Sequence, residues 1–142
     1  MYEAKYRNKD CGKTIHMVFE NTTSILDTIM TINATNSVDE IFSVCLSKFS
    51  EVYYSQKEAD LLKWYEVSLT GVSYDSQNIL RKKKYHILVQ APNFDDCCET
   101  VREIAKMGYE MERNTIRKSS ITDVTTLTVE DDIISEKDVE ND

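Results

Sequence analysis

The residues best suited to chemistry are four consecutive bases, Arg81–Lys84, which stand near several aromatic residues. Adjacent positive charges can hold a phosphate backbone, and aromatic rings beside them can stack on nucleotide bases. We therefore predict a surface that binds an anionic ligand or a nucleic acid. The residues assigned to it are the four bases, two nearby aromatics, two bases on a later segment expected to return beside the run, and both histidines: Arg81, Lys82, Lys83, Lys84, Trp64, Tyr85, Arg113, Arg117, His16 and His86.

The same basic run also has a purely structural interpretation. Lysines at a hairpin end and along an edge strand remain solvated and discourage edge-to-edge pairing with other sheets. The chain has eight tyrosines and four phenylalanines, an excess that indicates aromatic side chains with a polar tip near water. At the level of sequence, both interpretations of Arg81–Lys84 stay open.

Catalytic chemistry has little support in the sequence. The two histidines occupy matching places in two similar segments, and a pair facing one cleft could transfer protons. Each is flanked by apolar residues, however, which is typical of a packed strand histidine. The chain has only three glycines and lacks a phosphate-binding loop, an HExxH pair and a nucleophile elbow. We expect no catalytic residues, and an enzyme using His16 and His86 is the least favoured of the functions considered.

The four cysteines indicate packing rather than metal or redox chemistry. They are Cys11, Cys45, Cys97 and Cys98, and they form no CxxC pair and have no histidine close by in sequence. A zinc site normally shows such spacing. We therefore expect no metal and no cofactor, and we expect Cys97 and Cys98 to pack as small apolar side chains on one helix face.

The elements that must position these residues are clearest in the second half of the chain. Residues 64–69 alternate between apolar and polar types, as in a half-buried strand, and residues 85–89 form a second strand rich in β-branched and aromatic residues. Asn93 is a suitable N-cap for a helix that follows, and Gly108 is suited to end it. Residues 109–124 then alternate weakly and predict a closing strand.

The same plan recurs earlier in the chain. Tyr2 and Tyr65 are 63 residues apart, and His16 and His86 are 70 apart. Residues 41–52 correspond to the closing strand, and Ser50-Glu51-Val52 resembles Thr122-Asp123-Val124. We predict an α+β fold of tandem duplicated ββαβ units with antiparallel or mixed sheets of six strands in all and one main helix per unit. The repeats, 1–56 and 61–124, would form a single compact domain over residues 1–124. Two generic hairpin-plus-helix units alike by chance are the alternative.

Three stretches carry a family resemblance: Lys63–Val67, Ile87–Phe94 and Ile116–Val124. They resemble an uncharacterised family of Bacteroidota and their phages, whose members have a Trp-Tyr or Trp-Phe strand, a Leu-Val-x-Ala strand end and an Ile-x-Asp-Val-like finish. Lys48–Tyr54 resembles that family's link between halves. The first half departs from the pattern, since Met1-Tyr2 replaces the expected tryptophan pair. The resemblance implies a source in Bacteroidota or their phages and a tandem architecture, but no catalytic residues.

Charge is distributed unevenly along the chain. Residues 125–142 carry seven acids and one base, which is −6 of the net charge of −8, so residues 1–124 are nearly balanced. The acidic end is a solvated tail or, through its few aliphatic residues, a segment that docks on a basic partner. No stretch approaches the length of a membrane span and no signal peptide is visible. We expect a cytoplasmic protein, in the host cell if phage-encoded, with packaging into a virion as an alternative.

These observations predict a non-enzymatic accessory protein of a phage or mobile element. It would bind a macromolecular partner or a small anionic ligand. We expect a protein partner or self-association, with nucleic acid as a further candidate ligand, and we expect no membrane contact. The alternative is a virion-associated or oligomeric structural protein.

Overall fold

The computed structural model describes residues 1–106 and 109–128, and for 109–114 it describes the backbone only. The elements run in the order β1 (Tyr2–Asn8), β2 (Thr14–Phe19), α1 (Ile25–Thr35), β3 (Val38–Leu46), β4 (Phe49–Tyr53), β5 (Lys63–Tyr74), β6 (Leu80–Ala91), α2 (Phe94–Ala105), β7 (Tyr109–Lys118) and β8 (Asp123–Thr125). The predicted α+β class is confirmed. Within the described residues there are eight strands in two mixed four-stranded sheets, whereas six strands were expected.

The chain divides into two compact units. Unit 1 takes Met1–Ser47 together with the described residues from Ile121 onwards, and unit 2 takes Lys48–Ser120. Unit 1 therefore combines two separate stretches of chain, while unit 2 is a single stretch. Gly108, the residue expected to end α2, lies outside the described residues, and so does most of the acidic tail.

Unit 1 consists of helix α1 and a sheet with the strand order β3-β1-β2-β8. Ala4, Tyr6, Phe19 and Ile32 form its buried core. The isoleucine and threonine content of α1 disfavours a helix. The buried threonine hydroxyls are nevertheless paired, because Thr28 donates to the Ser24 carbonyl at 2.8 Å and Thr31 to the Asp27 carbonyl at 2.8 Å. The Thr28 hydroxyl also lies 2.8 Å from the Thr22 hydroxyl, so the helix buries threonines whose polar atoms have partners.

Unit 2 consists of helix α2 and a sheet with the strand order β4-β6-β5-β7. Its buried core comes from alternating positions of β5 and β6 and from one face of α2: Tyr65, Val67, Leu69, Ile87, Val89, Ala91, Cys97, Val101 and Ile104. The side chain of Asn93 accepts from the Asp96 amide at 2.9 Å, so the predicted N-cap is confirmed. Cys97 is buried as expected, while Cys98 is only half-buried.

The two hairpins share one register. Tyr2 pairs with Phe19 in unit 1, and Tyr65 pairs with Val89 in unit 2, which matches the offsets of 63 and 70 seen in the sequence. Each second strand also takes a short parallel neighbour: Val124 of β8 lies opposite Val18, and Val52 of β4 lies opposite Leu88. Both sheets therefore have the same order of closing, first, second and short parallel strand.

The closing segment of the first half differs from the prediction. Residues 41–52 were expected to form one strand, but β3 ends at Leu46 and β4 begins at Phe49. β3 pairs with β1 in unit 1, whereas β4 pairs with β6 in unit 2. The break carries Ser47-Lys48 and no glycine or proline, so the usual local signal for a strand end is missing.

Alkaline pH is expected to destabilise the fold through Cys97. Burial raises the pKa of the Cys97 thiol from 9.0 to about 12. Since the unfolded thiol ionises first, stability is full below pH 9 and falls as pH rises from 9 towards 12, by up to about 1.4 kcal/mol per pH unit. Urea titrations of the wild type and Cys97→Ala between pH 8 and about 10 measure this slope, because tyrosines contribute mainly above that range. Equal slopes in the two proteins would contradict the prediction.

Candidate functional site

Strands β5 and β6 continue as a two-stranded ribbon past their neighbours. The pairing of β4 with β6 stops at His86, and the pairing of β7 with β5 stops at Gly71. From the Ser68–His86 pair, β5 and β6 remain paired with each other as far as Tyr74 and Leu80. Strand β7 is still paired with β5 beside Thr70 and Gly71, so residues 72–74 and 80–82 are the ones that lie past both neighbouring strands. These three residues per strand give about 10 Å of ribbon with two strands only. We call residues 70–84 the distal ribbon.

The four predicted bases all lie on the distal ribbon and are all exposed. They stand opposite Ser73, Val72, Gly71 and Thr70, in that order, on β5. Because successive strand residues point to opposite faces, Arg81 and Lys83 lie on one face and Lys82 and Lys84 on the other. The ribbon is therefore basic on both faces.

The ring of Tyr85 packs against the backbone of Gly71. A Cβ atom at Gly71 would lie 2.6 Å from Cε2 of Tyr85, so the tyrosine ring occupies the space that a side chain would fill. The Lys83 ammonium lies 5.3 Å from the centre of the same ring, within the range of a cation–π contact. Tyr85 thus covers glycine backbone and holds Lys83, which is a positioning role within the basic surface.

The loop that joins the two strands is held by Asp75. Its carboxylate accepts hydrogen bonds from the Gln77 and Ile79 amides at 2.9 Å each and from Arg81 Nε at 3.1 Å. These contacts, led by the Ile79 amide, lower the pKa of the Asp75 carboxyl below its ordinary value. Asn78 takes the left-handed backbone conformation, with φ of 61°, which asparagine tolerates well. The end of the ribbon is therefore a defined turn.

Three apolar side chains surround that turn. Tyr74 is 67% exposed, Ile79 47% and Leu80 46%. We call these three residues the apolar tip. Tyr74 and Leu80 are directly paired across the strands, yet both keep a large exposed area. The ribbon therefore has basic sides and an apolar end.

The other residues assigned to the site lie elsewhere. Trp64 is 6% exposed and lies edge-on to Tyr54, with ring centres 5.7 Å apart. A buried ring cannot stack on a nucleotide base, so the assignment of Trp64 as a stacking platform is wrong. Arg117 donates to Glu66 at 2.6 Å, and Lys48 lies 3.4 Å from the same carboxylate. The side chain of Arg113 lies outside the described residues.

The two histidines belong to different units. His16 Nε2 lies 3.1 Å from Oε1 of Glu3 in unit 1, and His86 Nδ1 lies 3.1 Å from Oγ of Ser68 in unit 2. Their registers correspond, since His16 pairs with Lys5 and His86 with Ser68. These hydrogen bonds account for both rings as half-buried strand residues, and neither is part of the distal ribbon.

Comparison with known proteins gives a family. A family profile described as a domain of unknown function (DUF4494) matches residues 17–127. The chain belongs to the DUF4494 family. No curated protein and no solved structure matches it. Among the residues described, no helix is both long and apolar enough to cross a membrane.

The DUF4494 match includes the whole distal ribbon and starts within β2. The described residues of this DUF4494 protein hold no cluster of three or more histidine, cysteine or carboxylate side chains suited to a metal ion. Of the residues named for the site, those that the structure brings together are Arg81–Lys84 and Tyr85.

Unit 2 of the DUF4494 protein also has a groove that the sequence did not indicate. Its volume is about 690 Å³, and helix α2 and the segment around Lys57 line it. Three acids and three bases face it, namely Asp96, Glu99, Glu103, Lys57, Arg102 and Lys106. Lys57 binds Asp96 at 2.7 Å, a pair 39 residues apart that no sequence pattern marks. Because its charges balance, this groove favours neither anionic nor cationic ligands, whereas the distal ribbon favours anionic ones.

Proposed function

We propose that this protein binds duplex DNA through the distal ribbon and is a non-enzymatic accessory protein of a phage or mobile element. The observation that supports the proposal is that four exposed basic side chains lie on both faces of the distal ribbon, which continues past β4 over its whole length and past β7 beyond Gly71. The family itself assigns no activity, so the argument depends on the ribbon.

The shape of the ribbon suits a groove of the double helix. Two-stranded ribbons bind in the major or the minor groove, and phosphate backbones run along both sides of either groove. A ribbon with Arg81 and Lys83 on one face and Lys82 and Lys84 on the other can direct charge to either backbone. A flat single-stranded ligand would use one face and leave the other two bases without a role.

A small anionic ligand fits the ribbon less well. Tight binding of a small anion requires several donors that converge on one point. On a strand, neighbouring side chains diverge to opposite faces, and side chains on one face are about 6.6 Å apart. This linear array of charge fits a polymer of phosphates better than a single phosphate group.

The charge is concentrated where the proposal needs it. Residues 70–84 carry four bases and one acid, Asp75, whereas residues 1–124 as a whole carry a small net negative charge. A local positive patch on a nearly neutral body attracts DNA at the patch and repels it little elsewhere. Binding is therefore expected to depend on these bases more than on total charge.

The test is a salt titration of duplex binding. If four phosphates are contacted, the logarithm of the association constant should fall with the logarithm of salt concentration at a slope of about −3.6, so that affinity drops roughly a hundredfold between about 50 and 200 mM. Fluorescence anisotropy with a labelled duplex measures the slope. Replacing each residue of Arg81–Lys84 with serine should remove most of this salt dependence.

A control with the same change in charge removes four exposed bases outside the ribbon, namely Lys9, Lys13, Arg102 and Lys106. This variant should bind with nearly wild-type affinity. Circular dichroism melts of both variants check that the fold is retained. Equal loss in the two variants, or no binding by the wild type, would remove the proposed function.

A second candidate is an oligomeric structural protein, because the outer side of α1 is apolar. Ile25, Leu26 and Met30 are 51%, 67% and 47% exposed, while the buried side of the same helix carries Thr28 and Thr31. Such an exposed aliphatic group is typical of a contact with another chain. Sedimentation of the DNA-free protein across the same salt series distinguishes the two: a salt-resistant oligomer would favour this candidate.

We also infer that the two hairpin-plus-helix stretches of the chain are duplicated ββαβ repeats, as the sequence offsets predicted. Shared hairpin register supports this, as does a shared backbone contact: the Ser47 amide donates to the Met1 carbonyl and the Ser119 amide to the Trp64 carbonyl, each at 2.9 Å. The repeat limits 1–56 and 61–124 stay a prediction. So does a source in Bacteroidota or their phages, which the resemblance implied.

A further inference from the structure

We infer that the apolar tip inserts between base pairs of the bound duplex and bends it. This inference rests on the proposed DNA binding and adds the way in which the ribbon contacts DNA. The tip comprises Tyr74, Ile79 and Leu80, which lie at the far end of the strands from the rest of the sheet.

Packing within the sheet does not bury the apolar tip. Tyr74, Ile79 and Leu80 lie past Gly71, the last residue of β5 that pairs with β7. They stay 67%, 47% and 46% exposed. Burying an aliphatic side chain is favourable relative to leaving it in water. An apolar environment at the end of a basic ribbon would recover this free energy, and the interior of a base stack is such an environment.

The turn is organised so that insertion orders little new structure. Asp75 already fixes Gln77, Ile79 and Arg81 through hydrogen bonds of 2.9–3.1 Å. An inserted element, or wedge, that is already rigid before binding loses less conformational entropy when it binds; here the wedge is the apolar tip. The charges that hold DNA begin at Arg81, directly after Leu80, so phosphate contacts and the wedge act at adjacent positions.

Insertion of apolar side chains between base steps from the minor groove partly unstacks the bases and kinks the duplex by about 20–90°. Pyrimidine–purine steps unstack at the lowest free-energy cost. The ribbon should therefore prefer duplexes with a central TA or CA step, although none of its side chains need read the bases. This preference distinguishes a wedge from a ribbon that only neutralises phosphates.

The experiment measures bending and affinity in one sample. A duplex of about 30 bp carries a donor and an acceptor dye at its ends and 2-aminopurine at a central TA step. Wild-type protein should raise energy transfer and 2-aminopurine fluorescence. The double variant Ile79→Ser with Leu80→Ser should bind within about tenfold of wild type and raise neither signal, since phosphate contacts supply most of the affinity.

The control is Leu61→Ser, because Leu61 is 68% exposed and lies outside the ribbon. It should bend DNA as the wild type does. Binding without bending by the wild type, or full bending by the tip variant, would overturn the wedge while the proposed function stands. Failure of the wild type to bind duplex at all would overturn both.

Discussion

Removal of residues 121–142 is expected to unfold unit 1, whereas removal of residues 129–142 should change its melting temperature little. The first truncation deletes β8, the parallel neighbour of β2. It takes away Ile121 and Val124, which are 6% and 9% exposed. It also removes the hydrogen bonds from the Thr122 amide to His16 and from the Glu20 amide to Thr125. Loss of two buried aliphatic side chains alone costs about 4 kcal/mol or more, which is a large fraction of the roughly 5–15 kcal/mol by which a domain is typically stable.

Thermal melts followed by circular dichroism, together with hydrogen exchange of β1 and β2, measure this loss. The shorter truncation is the matched control, because it removes most of the acid-rich segment and keeps every residue that the structure describes. Two truncations that melt alike, and both near wild type, would show that β8 does not stabilise unit 1.

The hairpins and the helix start were predictable because their signals are local. Alternation of apolar residues fixes which face of a strand is buried, and the offsets of 63 and 70 already carried the shared register of the two hairpins. Asn93 followed by acidic residues marks a helix start within four positions. Each of these features depends on residues close in sequence or on a repeated spacing.

The short parallel strands were not predictable as pairings. β4 and β8 span five and three residues, too few for a periodic pattern. Parallel neighbours also need no tight turn to join them, so no turn residue marks the pairing. The similarity of Ser50–Val52 to Thr122–Val124 was visible in the sequence, but it did not show which sheet each segment joins. That information is in contacts between residues far apart in the chain.

The candidate site was predictable in its charge and only partly in its geometry. The run Arg81–Lys84 is evident from composition, and a strand assignment places its side chains on alternate faces. Which aromatic residues lie beside the basic run was harder to predict, since Trp64 is buried against Tyr54. The apolar tip was not predicted, because Tyr74, Ile79 and Leu80 flank polar residues that indicate only a turn. Exposure of an apolar side chain depends on where neighbouring strands stop, which no local pattern encodes.

The second large effect concerns which sheet each short strand stabilises. Val124→Asp should deprotect the backbone amides of β1 and β2, about 100 residues away in sequence, because Val124 pairs with Val18. Val52→Asp should instead deprotect β6, because Val52 pairs with Leu88. A charge placed at a buried position costs several kcal/mol, and the half-buried Val52 should give the smaller loss. Hydrogen exchange read by mass spectrometry at peptide resolution assigns each loss to a sheet.

Leu127→Asp is the control, since Leu127 is 54% exposed and follows β8; its exchange should match the wild type. The decisive comparison is the location of the deprotection, because each substituted strand follows the closing strand of one hairpin and pairs in the sheet of the other. If Val52→Asp opened β1 and β2 instead, each hairpin would be stabilised by the strand that follows it directly, and the pairing described above would be wrong. The expected result is deprotection confined to the sheet in which the substituted strand pairs. A cut in the chain near residue 60 would then separate each sheet from a short strand that stabilises it.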